Sequence, residues 1–397
     1  MTKPLEGIRV LELGVLIAGS FATRLMAEFG AEVIKVETPK QGDPIRNWRM
    51  VHEGTSLWWY VQSRNKKCIT LNLKSVEGQE IIKELIKEVD ILVENFRPGT
   101  LEKWGIGYEE LKKINPKLVM VRISGYGQNG PYKDKPGFGS IGEAMGGIRY
   151  LTGYPDLPPT RVGISLGDSV SSLYAVIGAL MAVRHREVNG GTGQVVDVAL
   201  YESIFSLMES MVPEYDVYKN IRERTGSILP GIAPSNIYLC KDGKYVVIGA
   251  NGDSIYKRLM NLIGRSELAE DERFQTNEGR AKHMEYLDEQ IGNWSKQFEI
   301  KEVLSLLDEV GIPSGPIYNI EDMTKDPHFI ARDMFEQVEV EGLGKLKVPG
   351  IVPKLTETPG STEWAGPKLG QHNEEVIKQV VGLSDEQFLK LQELGIV

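Results

Sequence analysis

Short apolar strands alternate with helical segments through the first 125 residues, and few folds accommodate such alternation. Residues 8–13 form a short apolar run, and 19–29 carry helical spacing. Residues 32–37, Glu-Val-Ile-Lys-Val-Glu, predict a second strand, and 68–73 alternate as a third. An amphipathic helix over 77–87 and strands at 91–93 and 118–123 complete the series, which ends at Ser124-Gly125-Tyr126-Gly127. Strands interleaved with helices predict an α/β fold on a parallel, doubly wound sheet.

Downstream, 141–147 opens a small-residue helix and 154–159 is a Pro-rich loop. A mostly apolar helix runs from Asp168 to about Arg186, followed by a strand at 194–198 and a helix over 199–212. From about Asp216 the character shifts, and 222–234, charged and then rich in Gly and Pro, reads as a linker. Residues 236–240 and 245–249, joined by Lys241-Asp242-Gly243-Lys244, predict a hairpin with an Asp-Gly turn. Helices follow to about Val310. Residues 315–320 look like a strand returning to the first domain, 337–348 a second hairpin, and the tail a helix from Ser384.

Composition narrows the functional classes. A length of 397 residues allows two domains with ample core. A net charge of -9 with no Lys/Arg-rich block argues against nucleic acid and anionic membrane as partners. Two distant cysteines, Cys68 and Cys240, make a disulfide framework implausible and suit a reducing cytoplasm. The start lacks the apolar stretch of a signal peptide, and no run of 18 uninterrupted apolar residues predicts a membrane span. The five histidines are scattered, so no metal site is expected.

Several motifs carry two readings. The first strand–loop–helix suggests a dinucleotide-binding unit with Glu37 as a ribose ligand, but its loop, Gly14-Val15-Leu16-Ile17-Ala18-Gly19, is not G-x-G-x-x-G. Glu94-Asn95-Phe96-Arg97-Pro98-Gly99 follows a strand, where open α/β sheets bind ligands. Asn95 can bond a ligand amide, Phe96 can stack on a flat ring and Arg97 can meet a phosphate; the alternative is a polar turn. Gly249-Ala250-Asn251-Gly252 suits a mobile flap or a plain turn with Asp253 as N-cap. Gly370-Gln371-His372-Asn373 reads as a helix start with Asn373 as N-cap rather than as a catalytic histidine. Asp168, at the first turn of its helix, is either a cap or an ionised nucleophile needing no base. Both readings stay open on these residues alone.

Taken together, these segments resemble the class III CoA-transferases, the family of formyl-CoA:oxalate and crotonobetainyl-CoA:carnitine CoA-transferases. The resemblance runs from Pro4-Leu5-Glu6-Gly7 through Gly30 to Glu37, Asn65-Lys66-Lys67, Glu94 to Gly99, Ser124 to Gly127, Gly167-Asp168-Ser169 and Gly193 to Val198, ending at Leu369-Gly370-Gln371-His372. It implies that Asp168 is a covalent nucleophile working through an aspartyl mixed anhydride and an aspartyl-CoA thioester. It implies CoA contacts at Ala18, Leu71, Lys74, Asn95, Phe96, Arg97 and Lys103, and a flap at Gly249, Ala250, Asn251 and Gly252. No tightly bound cofactor is implied; acyl-CoA is a substrate, with a free carboxylic acid as its partner. The implied architecture is a Rossmann-like large domain formed by both termini, with a smaller α+β domain between them. Two ring-shaped chains then interlock as a homodimer. The corresponding divisions are 1–215, 216–312 and 313–397.

The same superfamily contains α-methylacyl-CoA racemases, which pair the aspartate with a histidine in a Gly-His-Asp context. Here the segment is Gly137-Phe138-Gly139, and phenylalanine exchanges no proton, so transfer is favoured over racemisation. Gly139 also replaces an acidic residue that some members place beside the nucleophile. Val15 and Ile17 stand where oxalate-specific members have polar side chains. With Phe138 and Gly139 they define an expected acyl pocket suited to a dicarboxylic or aryl-substituted acid, with succinyl-CoA or acetyl-CoA as donor. A non-catalytic CoA-binding protein, with Asp168 as a cap, is the rival from another class.

Overall fold

A computed structural model describes residues 2–397, which divide into two compact units. The first gathers the residues up to Arg149, Val162–Lys219 and Ala331–Val397; the second comprises Tyr150–Arg161 and Asn220–Ile330.

The first unit is built on six strands: β1 (Arg9–Glu12), β2 (Glu32–Glu37), β3 (Lys66–Thr70), β4 (Ile91–Glu94), β5 (Val119–Ser124) and β6 (Val195–Ala199). All neighbours pair in parallel, in the order β3-β2-β1-β4-β5-β6. That is the strand order of doubly wound dinucleotide-binding sheets, whose switch point falls between the first and fourth strands. The inner strands are continuous buried runs because helices cover both faces.

Strand alternation assigns successive residues to opposite sides. Leu11, Ile34, Leu92 and Met120 face one core, with α2 (Val76–Ile86), α4 (Tyr108–Ile114) and the C-terminal Phe388 and Ile396. Val10, Val33, Ile91 and Val121 face the other, with α1 (Ala18–Glu28) and the long α6 (Leu166–Val188). Between these lie α3 (Thr100–Lys103) and α5 (Gly139–Met145); α7 (Leu200–Phe205) and α8 (Met211–Tyr218) follow β6. A single helix was expected over 199–212, but Glu209 takes a left-handed φ of 45° and divides it.

Helix α6 is, by length and composition, apolar enough to cross a membrane. Counting uninterrupted apolar residues passes over it, because serine, glycine and aspartate punctuate the run. Its Ala175, Ala179 and Ala182 are buried against the sheet, as in a core helix of small residues that approaches closely.

The edge strand β3 is covered by the C-terminal segment. Asn65 N–H donates to Trp364 O at 3.1 Å, His372 N–H to Cys68 O at 3.1 Å, and Cys68 N–H to His372 Nδ1 at 3.0 Å. Asn373 Oδ1 accepts from Thr70 N–H at 2.8 Å. The expected N-cap role of Asn373 therefore gives way to edge protection, since its side chain makes no capping bond.

In the second unit, β7 (Ser235–Leu239) and β8 (Tyr245–Gly249) form the expected hairpin. The strand expected to return to the first domain does not do so. It is β9 (Ser314–Pro316), which pairs antiparallel with β8, and the compact unit extends to Ile330. The open edge of β8 needs a partner, and an apolar stretch does not by itself declare which sheet it will join. The Pro-rich loop also belongs here: Arg224 Nη1 donates to Tyr150 O at 2.9 Å and Gly226 N–H to Gly153 O at 3.0 Å.

Candidate active site

The loop after β1 crosses the switch point and is held from both sides. Asn95, at the end of β4, grips the Val15 peptide: Oδ1 accepts from Val15 N–H and Nδ2 donates to Val15 O, both at 2.8 Å. Its amide, expected to meet a ligand, thus fixes the loop. Leu16 takes a left-handed φ of 62°, costly for a non-glycine residue, and its N–H meets both oxygens of Asp43 at 3.1 Å. Asp43 is fully buried and pairs with Lys35 at 2.9 Å. Lys35 also bonds Glu12 at 2.7 Å and Gly14 O at 2.9 Å, while Lys66 bonds Glu12 at 2.8 Å. Burial pushes the Glu12 carboxyl up, but Lys35 and Lys66 outweigh it and hold the group down at about 2. Two buried acids thus balance two buried lysines beneath the loop.

Beside the loop lies a cleft of about 530 Å³. Val15, Leu71, Lys74 and Phe96 line it, so three of the expected CoA positions converge there, joined by a residue expected in the acyl pocket. Arg97 and Lys103 are exposed and do not line this cleft, and Ala18 and Ile17 are buried at the start of α1. Two lining residues carried no signal in the sequence: Trp104, packed edge-on to Phe96 with centroids 5.4 Å apart, and Lys40. Buried Glu94 accepts from Phe96 N–H and from Arg122 Nε, both at 2.7 Å, and Arg122 continues to Glu102 on α3 at 2.6 Å. Burial pushes the Glu94 carboxyl up to about 7, against the pull of Arg122. This chain of ions fixes both the Phe96 turn and α3.

Asp168 stands in the first turn of α6, half-buried. It is not the N-cap. That position belongs to Ser165, whose side chain makes no capping bond. The amide just before Asp168, Gly167 N–H, is taken instead by Oε1 of Glu143 on α5 at 3.1 Å. One turn earlier on α5 lies Gly139. A Cβ there would fall 2.7 Å from Asp168 Cγ and closer still to Oδ2, so glycine is what lets the carboxylate lie where it does. The hydroxyl of Ser172 bonds both Asp168 O and Ala18 O at 2.7 Å, which ties the start of α6 to the start of α1. Phe138, directly before Gly139, is 66% exposed. Asp168, Gly139 and Ala18 are therefore brought together.

The expected flap, Gly249 to Gly252, lies in the second unit between β8 and α9 (Asp253–Leu262). Gly252, not Asp253, holds the N-cap position. Ala250 N–H donates to Pro234 O at 2.9 Å, and Asn251 O accepts from Arg280 Nη2 at 2.6 Å. Neither glycine has a positive φ, and a methyl group would fit on either. Among the described residues no three His, Cys, Asp or Glu side chains gather as a metal site.

Residues 5–373 match the model of CoA-transferase family III. The chain is 52% identical over 391 residues to the succinyl-CoA–D-citramalate CoA-transferase of Chloroflexus aurantiacus, covering 98% of this chain and 97% of that one. It is 44% identical over 400 residues to the beta subunit of the succinyl-CoA–L-malate CoA-transferase of the same organism, covering 100% and 98%. The crystal structure of a CaiB/BaiF family protein from Brucella suis superposes with a TM-score of 0.85 at 32% identity, covering 96% of this chain and all of that one.

Proposed function

The chain belongs to CoA-transferase family III and is a CoA-transferase, and from that premise we propose that it moves CoA from succinyl-CoA to a second small dicarboxylic acid, with Asp168 as the covalent nucleophile. One observation carries the role of Asp168: its half-buried carboxylate lies against a glycine in the first turn of a long helix. The positive end of the helix favours the ionised form, and an ionised carboxylate attacks without a base. Phe138 offers no group for exchanging an α-proton, which disfavours racemisation.

The chemistry balances without net proton transfer. An Asp168 oxygen attacks the thioester carbonyl, the C–S bond breaks, and a mixed anhydride and CoA thiolate result. The thiolate attacks the aspartyl carbonyl and releases the donor acid, which leaves an aspartyl-CoA thioester. The acceptor carboxylate then displaces the thiolate to form a second anhydride. The thiolate attacks the acceptor's carbonyl, giving the new thioester and restoring the Asp168 carboxylate. Water is the competitor throughout, because anhydrides hydrolyse. CoA takes the cleft beside Val15, with Phe96 and Trp104 offering aromatic surface to the base and Lys40 and Lys74 meeting phosphates.

The named relatives support the substrate class: both use succinyl-CoA, and citramalate and malate are hydroxylated dicarboxylic acids. The test is incubation of succinyl-CoA with a panel of dicarboxylic, aliphatic and aryl acids, scored by mass spectrometry of the CoA thioesters. CoA should pass to hydroxylated dicarboxylates and not to monocarboxylates. Transfer only to aryl or simple aliphatic acids would sink the assignment.

The reading extends to a dimer of interlocked, ring-shaped chains. Leu173, Ile177, Leu180 and Met181 form an apolar stripe on α6 that the single chain leaves exposed, up to 68% for Met181. Light scattering should give twice the 44.3 kDa chain mass, and a stable monomer at micromolar concentration would contradict it.

A further inference from the structure

Glu143 is the one charged residue in the small-residue stretch 139–147, and it is 1% exposed. Placing a carboxylate out of water is costly unless donors meet it. Gly167 N–H donates to Oε1 at 3.1 Å, and Arg149 Nη2 donates to Oε2 at 3.2 Å. Gly139 and Glu143 stand four residues apart on α5, hence on one face of that helix. The first lies against the Asp168 carboxylate and the second holds the amide just before it. The fit is close, since a Cβ on Gly167 would fall 2.7 Å from Gly139 O and 3.2 Å from Glu143 Cγ.

We propose that Glu143, braced by Arg149, is a positioning residue that sets the angle at which the Asp168 carboxylate meets the thioester, with Gly139 leaving the space into which that carboxylate is set. The inference rests on the nucleophile reading and goes beyond it. A cap in the ordinary sense comes from the helix's own N-cap side chain, and Ser165 makes no such bond. The substitute comes from a different helix, which locks α5 to the reacting turn of α6. Loss of that lock leaves Asp168 able to attack but misaligned for the return of the thiolate. Each stalled anhydride is then more exposed to water, and transfer is converted into hydrolysis of the donor thioester.

The experiment compares wild type, Glu143→Ala, Glu143→Gln, Gly139→Ala and Asp168→Asn on the full-length protein, measuring kcat, acyl-CoA KM and the ratio of CoA transfer to thioester hydrolysis. A misplacement of about 1 Å costs roughly 100-fold in rate, so Glu143→Ala and Gly139→Ala should lose about that much kcat with little change in KM. The hydrolysed share should rise in both. Glu143→Gln keeps an oxygen for Gly167 N–H and should retain more kcat than Glu143→Ala. A wild-type kcat and transfer ratio in Glu143→Ala overturns the proposal, as does an equal fall in both variants with the ratio unchanged, which marks a purely structural cap. Should Glu143→Ala fail to fold, Glu143→Asp carries the same test: it keeps the charge but draws the oxygen back from Gly167, and an unchanged transfer ratio overturns the proposal. The underlying reading is tested separately, since a fully active Asp168→Asn removes the nucleophile whatever Glu143 does.

Discussion

Two helix starts, joined by the Ser172 hydroxyl, use charge in opposite ways. At the start of α1, Glu12, Lys35, Asp43 and Lys66 are fully buried and bonded to one another or to the Val15–Ile17 loop. At the start of α6, one carboxylate, Glu143, is buried on a backbone amide, and another, Asp168, remains half-exposed against glycine. The first arrangement spreads charge over many partners and fixes a strained loop. The second sets one carboxylate on a backbone amide and keeps the other partly open to solvent. Burial, rather than residue type, separates the two carboxylates at the start of α6.

Lys35→Met should break the first region hardest. It strands Glu12 and Asp43 against a single remaining lysine, and removing one partner of a buried pair costs about 3–5 kcal/mol. Asp168→Asn should cost no more than about 1 kcal/mol in the same denaturant titration, because asparagine suits the site sterically. Equal losses from the two substitutions would erase the distinction. A smaller effect lies in the acid limb. The Glu12 carboxyl is held at about 2 against an ordinary value of 4.5. Its contribution is therefore fully present above 4.5 and lost as pH falls through 2, since the unfolded chain takes up the proton first. Glu12→Gln should flatten the slope of stability against pH over that window; an unchanged slope would place the acid sensitivity elsewhere.

The sheet was legible because its strands are apolar runs of the right length, and 32–37 was read with the bounds of β2. The hairpin of β7 and β8 was legible from Asp242-Gly243, where Gly243 takes a φ of 78°. The same sequence hid the charge network. Lys35 looks like the solvated face of an alternating strand and Glu37 like a ribose ligand, yet both are buried. Their partners, Glu12, Asp43 and Arg46, come from elsewhere in the chain, and no local pattern records such pairing. The destination of β9 and the placement of Tyr150–Arg161 in the second unit were hidden for the same reason. Asp168 was visible as a carboxylate at a helix start, and Gly139 as its neighbour through the resemblance, but the grip of Glu143 on the amide just before it comes from the fold alone.

The proposed transfer depends above all on covalent acylation of Asp168. Protein incubated with succinyl-CoA and quenched with hydroxylamine should yield one modified peptide, with the hydroxamate on Asp168 and none in enzyme lacking donor. Transfer proceeding at full rate with no label on Asp168, or with label on another carboxylate, would contradict it.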